Sequence, residues 1–169
     1  MSGFPGLTMS VPLFFDASGG INYQALERYL RTVGRSKCVA SIYSMAYNTR
    51  YVVLNADEVL AVNRFILGVC HEMGVRCYVG HPYVFNEKSL SLYFEAIAGD
   101  APDAISMLYP ERYYGYAEPV IDFLRFTERF GLKTLIHEMK LVSGFNGELI
   151  DWPEDLVKEA IRLDCVVAI

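Results

Sequence analysis

The chain has 169 residues, enough for one ordinary domain with its own core, and 53% hydrophobic content with 14% aromatics excludes a disordered segment. A formal net charge of −5, with 15 Lys and Arg residues scattered along the chain, leaves no basic patch for a phosphate backbone, so nucleic acid is not an expected partner. No apolar run reaches bilayer-spanning length, and the opening MSGFPGLTMS lacks the basic start and long apolar stretch of a signal peptide; no membrane association and a cytoplasmic location are expected.

Apolar, strand-like segments begin near Leu7, Cys38, Val75, Ala104, Lys133 and Cys165, about thirty residues apart, which is the length of one strand, one helix and two loops. After the first strand, Leu26, Tyr29, Leu30 and Val33 fall on one helical face, with Asn22 to cap the start and Gly34 to stop the helix. The second helix opens at Asn55 with Glu58 three residues on, a capping-box arrangement, and carries Val59, Val62, Phe65, Ile66 and Val69 before Gly74. A third runs from about Asn86 through Leu90, Tyr93, Phe94 and Ile97. The fourth has Pro119 near its first turn and stops at Gly131, and the fifth begins at Asp151-Trp152-Pro153-Glu154 and carries Leu156, Val157, Ala160 and Ile161. Cys38, Cys70, Cys77 and Cys165 show no CxxC spacing and are expected to be reduced core thiols.

Six strands alternating with five helices imply parallel strands joined by right-handed crossovers, in an open doubly wound sheet or a closed (β/α)8 barrel. The first strand runs into DASGG, not into GxGxxG or a Walker loop, which removes the commonest reason to prefer a nucleotide-binding sheet. The expected fold class is therefore α/β, a (β/α)8 TIM barrel. Residues 1–169 form a single domain covering about the first five βα units and the sixth strand, against the ~250 residues of a typical barrel. The terminal LDCVVAI reads as a buried strand with no turn or polar tail after it, so the chain is expected to continue beyond Ile169.

Three stretches resemble the dihydrodipicolinate synthase and N-acetylneuraminate lyase family of class I aldolases. SVPLFFDASGGINYQALERYL is similar to the family's opening strand and helix, LNADEVLAV to its second helix start, and LDCVVAI to its sixth strand. In the family that strand continues directly into the lysine that forms a Schiff base with a keto acid. The resemblance thus implies a lyase or aldolase that needs no cofactor, with its nucleophile just beyond Ile169, acting through an imine electron sink on a pyruvate-like keto acid.

The family's second strand ends in a Gly-Thr-Thr-Gly-Glu type motif that holds the substrate carboxylate. Aligned back from LNADE, the positions here are Ala46, Tyr47, Asn48, Thr49 and Arg50. The motif is lost, but Tyr47, Asn48, Thr49 and Arg50 are the expected substrate-binding residues, since an arginine at a strand end suits a bidentate carboxylate contact. The family's proton-relaying tyrosine on the fifth strand aligns with His137, which can do acid and base work near neutral pH; a core histidine bonded to a backbone carbonyl is the structural alternative. The synthases' second-carboxylate arginine aligns with Val142, which points away from dihydrodipicolinate synthesis itself. Tyr109, Tyr113 and Tyr114, in LYPERYYGYAEP, are the expected interface of a homodimer or homotetramer.

Barrel chemistry sits where the strands end, so Asp16, His81, Glu111, Arg112 and Lys140 join the candidates. Two other readings use the same residues. One is a metal-dependent barrel with His81, Glu111 and His137 as ligands; the two His-Glu-Met stretches do not form HExxH, and no metal is the primary expectation. The other is a barrel that has lost the aldolase chemistry and serves as a small-molecule binding or regulatory protein.

Overall fold

A computed structural model describes residues 6–45, 53–82, 87–108, 117–137 and 153–169. Chain order is β1 (Leu7–Ser10), α1 (Tyr23–Gly34), β2 (Val39–Ser44), α2 (Ala56–Met73), β3 (Arg76–Gly80), α3 (Glu87–Ala98), β4 (Ala104–Leu108), α4 (Ala117–Phe126) with a 3-10 turn (Thr127–Phe130), β5 (Thr134–His137), α5 (Glu154–Ala160) and β6 (Val166–Ala168). Among the described residues the five helices and six strands follow the alternation in the sequence. The local signals explain the boundaries. Asn22 Oδ1 accepts from Ala25 N at the start of α1, Asn55 and Glu58 close a reciprocal capping box on α2, and Gly74 and Gly131 take the left-handed conformation that ends a helix.

One stop signal works differently. Gly34 is the last residue of α1, whose C-cap is Arg35 in right-handed conformation. A Cβ on Gly34 would lie 2.7 Å from Met73 Cε, so the glycine serves the close approach of α1 to the end of α2. The expectation of core thiols also needs one correction: Cys70, Cys77 and Cys165 are buried, but Cys38, at a turn before β2, is exposed.

All six strands are parallel and their spatial order is their sequence order, β1 to β6. A doubly wound sheet reverses its order at a switch point and carries helices on both faces. Among the described residues no strand order reverses, and successive helices pack on one another along one face, α1 on α2, α2 on α3 and α4 on α5. The register fixes which residues share a face. Ile42 pairs with Cys77, Val79 with Ile105, and Met107 with Ile136. All six are buried in one core with Leu26, Leu30, Val62, Ile66, Leu90, Phe94, Ile97 and Leu124 from the helices. Each such side chain contributes roughly 1.5–3 kcal/mol by leaving water.

The opposite face carries Tyr43 paired with Tyr78, Gly80 with Ser106, and His137 at the end of β5. This face is concave. Tyr43 on β2 and His137 on β5 have two strands between them, a separation of about 14 Å across a flat sheet at roughly 4.8 Å per strand. Their side chains nevertheless meet at 2.9 Å, which requires the sheet to curl inward as in a barrel wall. The expected α/β barrel architecture is therefore present as six consecutive strands with their helices outside.

Candidate active site at the strand ends

Alternation along each strand sends every second side chain to the concave face. On β2 these are Ser41 and Tyr43, on β4 Ser106, and on β5 His137, the last residue of its strand. Thr8 on β1 shares a hydrogen bond with Ser41 at 2.7 Å deeper in the wall. Nearer the C-terminal ends, Tyr43 Oη lies 2.9 Å from His137 Nδ1 and is also hydrogen-bonded to Ser106 Oγ. The two rings stand edge to face with centroids 5.5 Å apart. Ser106 is buried and His137 half-buried.

Partial burial holds His137 below the ordinary imidazole pKa of 6.5, because desolvation disfavours the charged ring. At neutral pH the ring is therefore uncharged, with one nitrogen engaged by Tyr43 and the other on its far edge. A neutral imidazole held by one nitrogen can exchange or share a proton through the other.

A second polar group braces the strand ends from behind. Ser44 Oγ donates to Asn63 Oδ1 at 2.5 Å, and Asn63 Nδ2 is within reach of Gly80 O at 3.0 Å and Tyr93 Oη at 2.6 Å. Tyr93 Oη donates to the same Gly80 carbonyl at 2.7 Å. Helices α2 and α3 thereby pin the ends of β2 and β3. Gly80 itself leaves no room for a side chain, since a Cβ would lie 2.6 Å from Met45 Cβ.

His137 therefore stands where the sequence analysis expects it, at a strand end on the concave face. His81 does not. It shares the parity of Cys77 and Val79, is 3% exposed, and packs between Phe94 and Phe123 with Nδ1–H donating to Pro82 O. His81 and His137 thus occupy opposite faces of the sheet, which removes the pair that the metal reading needs; no three potential ligands gather among the described residues. Asp16 is likewise turned to local use. Its Oδ1 accepts from Ser18 N, Ser18 Oγ and Gly20 N, and these bonds, the Ser18 hydroxyl foremost, hold its carboxyl below the usual range. It closes the DASGG turn. Tyr47, Asn48, Thr49 and Arg50, the aromatic stretch with Tyr109, Tyr113 and Tyr114, and Glu111, Arg112 and Lys140 lie outside the described residues.

Two residues of the cluster escape a motif search, Tyr43 and Ser106. Both sit inside runs that read as apolar strands, SIYS and AISML. Their signal is parity: Ser41 and Tyr43 flank Ile42, and Ser106 lies between Ile105 and Met107, which puts them on the face opposite these aliphatic side chains.

No protein-family model matches the sequence, and no curated protein matches it. Solved structures do match. The chain superposes with a TM-score of 0.80 and 16% identity on CdNal from Clostridium difficile in complex with mannosamine, over 99% of this chain and 56% of that one. A catalytic-lysine mutant of the sialic acid aldolase of Ruminococcus gnavus matches at 0.77 with 13% identity, over 98% and 52%. YagE, a prophage protein of the dihydrodipicolinic acid synthase family from E. coli K12 in complex with pyruvate, matches at 0.80 with 16% identity, over 95% and 52%. The chain thus has the fold of this aldolase group and spans about half the length of these structures.

Proposed function

We propose that this chain is part of a Schiff-base lyase or aldolase acting on a pyruvate-like keto acid, with a substrate other than that of dihydrodipicolinate synthesis. The observation that carries this reading is the placement of His137, a neutral imidazole at the C-terminal end of β5 on the concave face, where the family resemblance puts a proton-relaying tyrosine. The fold shared with a sialic acid aldolase and with a pyruvate-bound structure supports it. In the proposed reaction a lysine on the sixth strand beyond Ile169 condenses with the keto group, losing water. The resulting imine accepts the electron pair as the neighbouring carbon–carbon bond breaks, or in the reverse direction its enamine donates that pair as the bond forms, and His137 moves the proton this requires. Asn48, Thr49 and Arg50 would hold the carboxylate, and the Tyr109, Tyr113 and Tyr114 segment would meet a second copy of the chain.

The test is the intact mass of the full-length protein after incubation with pyruvate and borohydride. One reduced pyruvyl adduct, mapped to a lysine following Ile169, is the expected result. Full-length protein that stays unmodified by pyruvate and by longer keto acids would sink the aldolase reading in favour of a binding protein.

A further inference from the structure

The hydroxyl of Tyr43 has one proton and is hydrogen-bonded to both Ser106 Oγ and His137 Nδ1. Of these two bonds it can be the donor in only one. A phenol, with an ordinary pKa of about 10, is a far better donor than an alkyl alcohol, and the bare nitrogen of a neutral imidazole is a better acceptor than a hydroxyl oxygen. The arrangement that matches the best donor to the best acceptor runs from Ser106 Oγ–H to Tyr43 Oη, and from Tyr43 Oη–H to His137 Nδ1. The reverse arrangement, with Nδ1–H donating to Tyr43, would use the phenol proton on the weaker acceptor.

We propose that Tyr43 is the positioning residue of His137, fixing both its orientation and its tautomer so that the proton of the neutral ring sits on Nε2. The inference rests on the reading of His137 as the proton-transfer group and adds a direction to it. His137 begins the reaction as a neutral N–H donor, suited to a carbonyl or carboxylate oxygen of a keto acid, a role that imidazole fills where the neutral ring is kept. Ser106 completes the chain by donating to Tyr43 Oη, which leaves the phenol proton for Nδ1 as the better acceptor of the two. Register supports the assignment. Tyr43, Ser106 and His137 lie on three strands of one curled face, so the backbone of the sheet, not a loop, sets their spacing.

The experiment reads the imidazole nitrogens of the full-length, ¹⁵N-labelled protein by NMR at neutral pH without substrate, with the His137 signals assigned by their loss in His137→Phe. A protonated Nε2 and a bare Nδ1 are expected, and in Tyr43→Phe both signals should move toward the averaged values of exchanging tautomers, with kcat falling at least tenfold and KM little changed. A protonated Nδ1 in the wild type, or unchanged His137 signals in Tyr43→Phe, would overturn the proposal. If Tyr43→Phe does not fold, the wild-type spectrum and that of Ser106→Ala decide. Ser106→Ala should retain the proton on Nε2, and a switch to Nδ1 counts against Tyr43. Because the spectra need no substrate, the expected tautomer with no borohydride adduct would leave Tyr43 in its role and remove only the aldolase reading.

Discussion

Asn63, in the middle of α2 and fully buried, reaches the carbonyl of Gly80 at the end of β3, 3.0 Å away. A helix interior is a poor place for an asparagine, whose side chain competes with the backbone for hydrogen bonds. Here it instead joins β2, β3 and α3 through Ser44, Gly80 and Tyr93, and no part of its amide is wasted.

Asn63→Ala should therefore lower the unfolding free energy by about 2–4 kcal/mol, combining a buried cavity with the stranded Ser44 hydroxyl. Tyr93→Phe should cost only about 1 kcal/mol, because Asn63 still serves Gly80. Urea denaturation of the two variants beside the wild type checks the order; equal losses would mean that the asparagine is not the hub.

Two glycines with close neighbours should respond differently to alanine. At Gly80 the new Cβ meets Met45 Cβ and Met45 O, atoms that move only with the backbone, and Met45 already has a φ of 60°. Gly80→Ala should cost about 1–3 kcal/mol. At Gly34 the nearest atom is the mobile tip of Met73, so displacing it is offset by the helix propensity of alanine, and a change within about 1 kcal/mol is expected. Thermal melts of both variants test the contrast.

The boundaries of α1 and α2 were legible because Asn22, Asn55 and Glu58 act within four residues of themselves. Gly34 was misread for the opposite reason: its constraint is a methionine on another helix. His81 follows β3 directly and so looked like a site residue, yet the alternation Cys77, Val79, His81 already assigned it to the helix side. Parity would also have paired Tyr43 with Ser106 and His137. What sequence cannot supply is curvature, and without it residues on β2 and β5 have no reason to touch. Burial of His81 against two phenylalanines is equally a product of packing.

That burial makes stability depend on acid. His81 is held uncharged in the folded protein, its pKa pushed down to about 4 by desolvation, whereas in the unfolded chain it titrates near 6.5. Below pH 6.5 the unfolded state binds the extra proton first, so stability is complete above that pH and falls as the pH drops toward 4, by about 3 kcal/mol from this residue. Half-buried His137 adds a smaller loss of the same sign. Urea titrations at several pH values should show a shallower acid slope for His81→Phe than for the wild type. Matching slopes would show that His81 charges without cost.

His137→Phe retains a ring against Tyr43 but cannot move a proton. On the proposed aldolase reading, turnover of the full-length protein on a keto acid should fall by a hundredfold or more, within the ~10²–10⁴ that acid–base groups supply, and an unchanged rate would take His137 out of the mechanism. Borohydride trapping should persist in this variant, because in the proposed reaction imine formation depends on the lysine and not on His137.

The strand order also carries a consequence for how the protein is made. Since every strand docks beside its predecessor, no segment has to wait for a later one to slip between two already placed, and each βα unit can join the sheet as it leaves the ribosome. Tyr43 emerges early and His137 lies 94 residues further on. Their hydrogen bond spans β3 and β4, so it needs the intervening strands in place and the wall curled, and the Tyr43–His137 contact would therefore report the curling of a nascent chain.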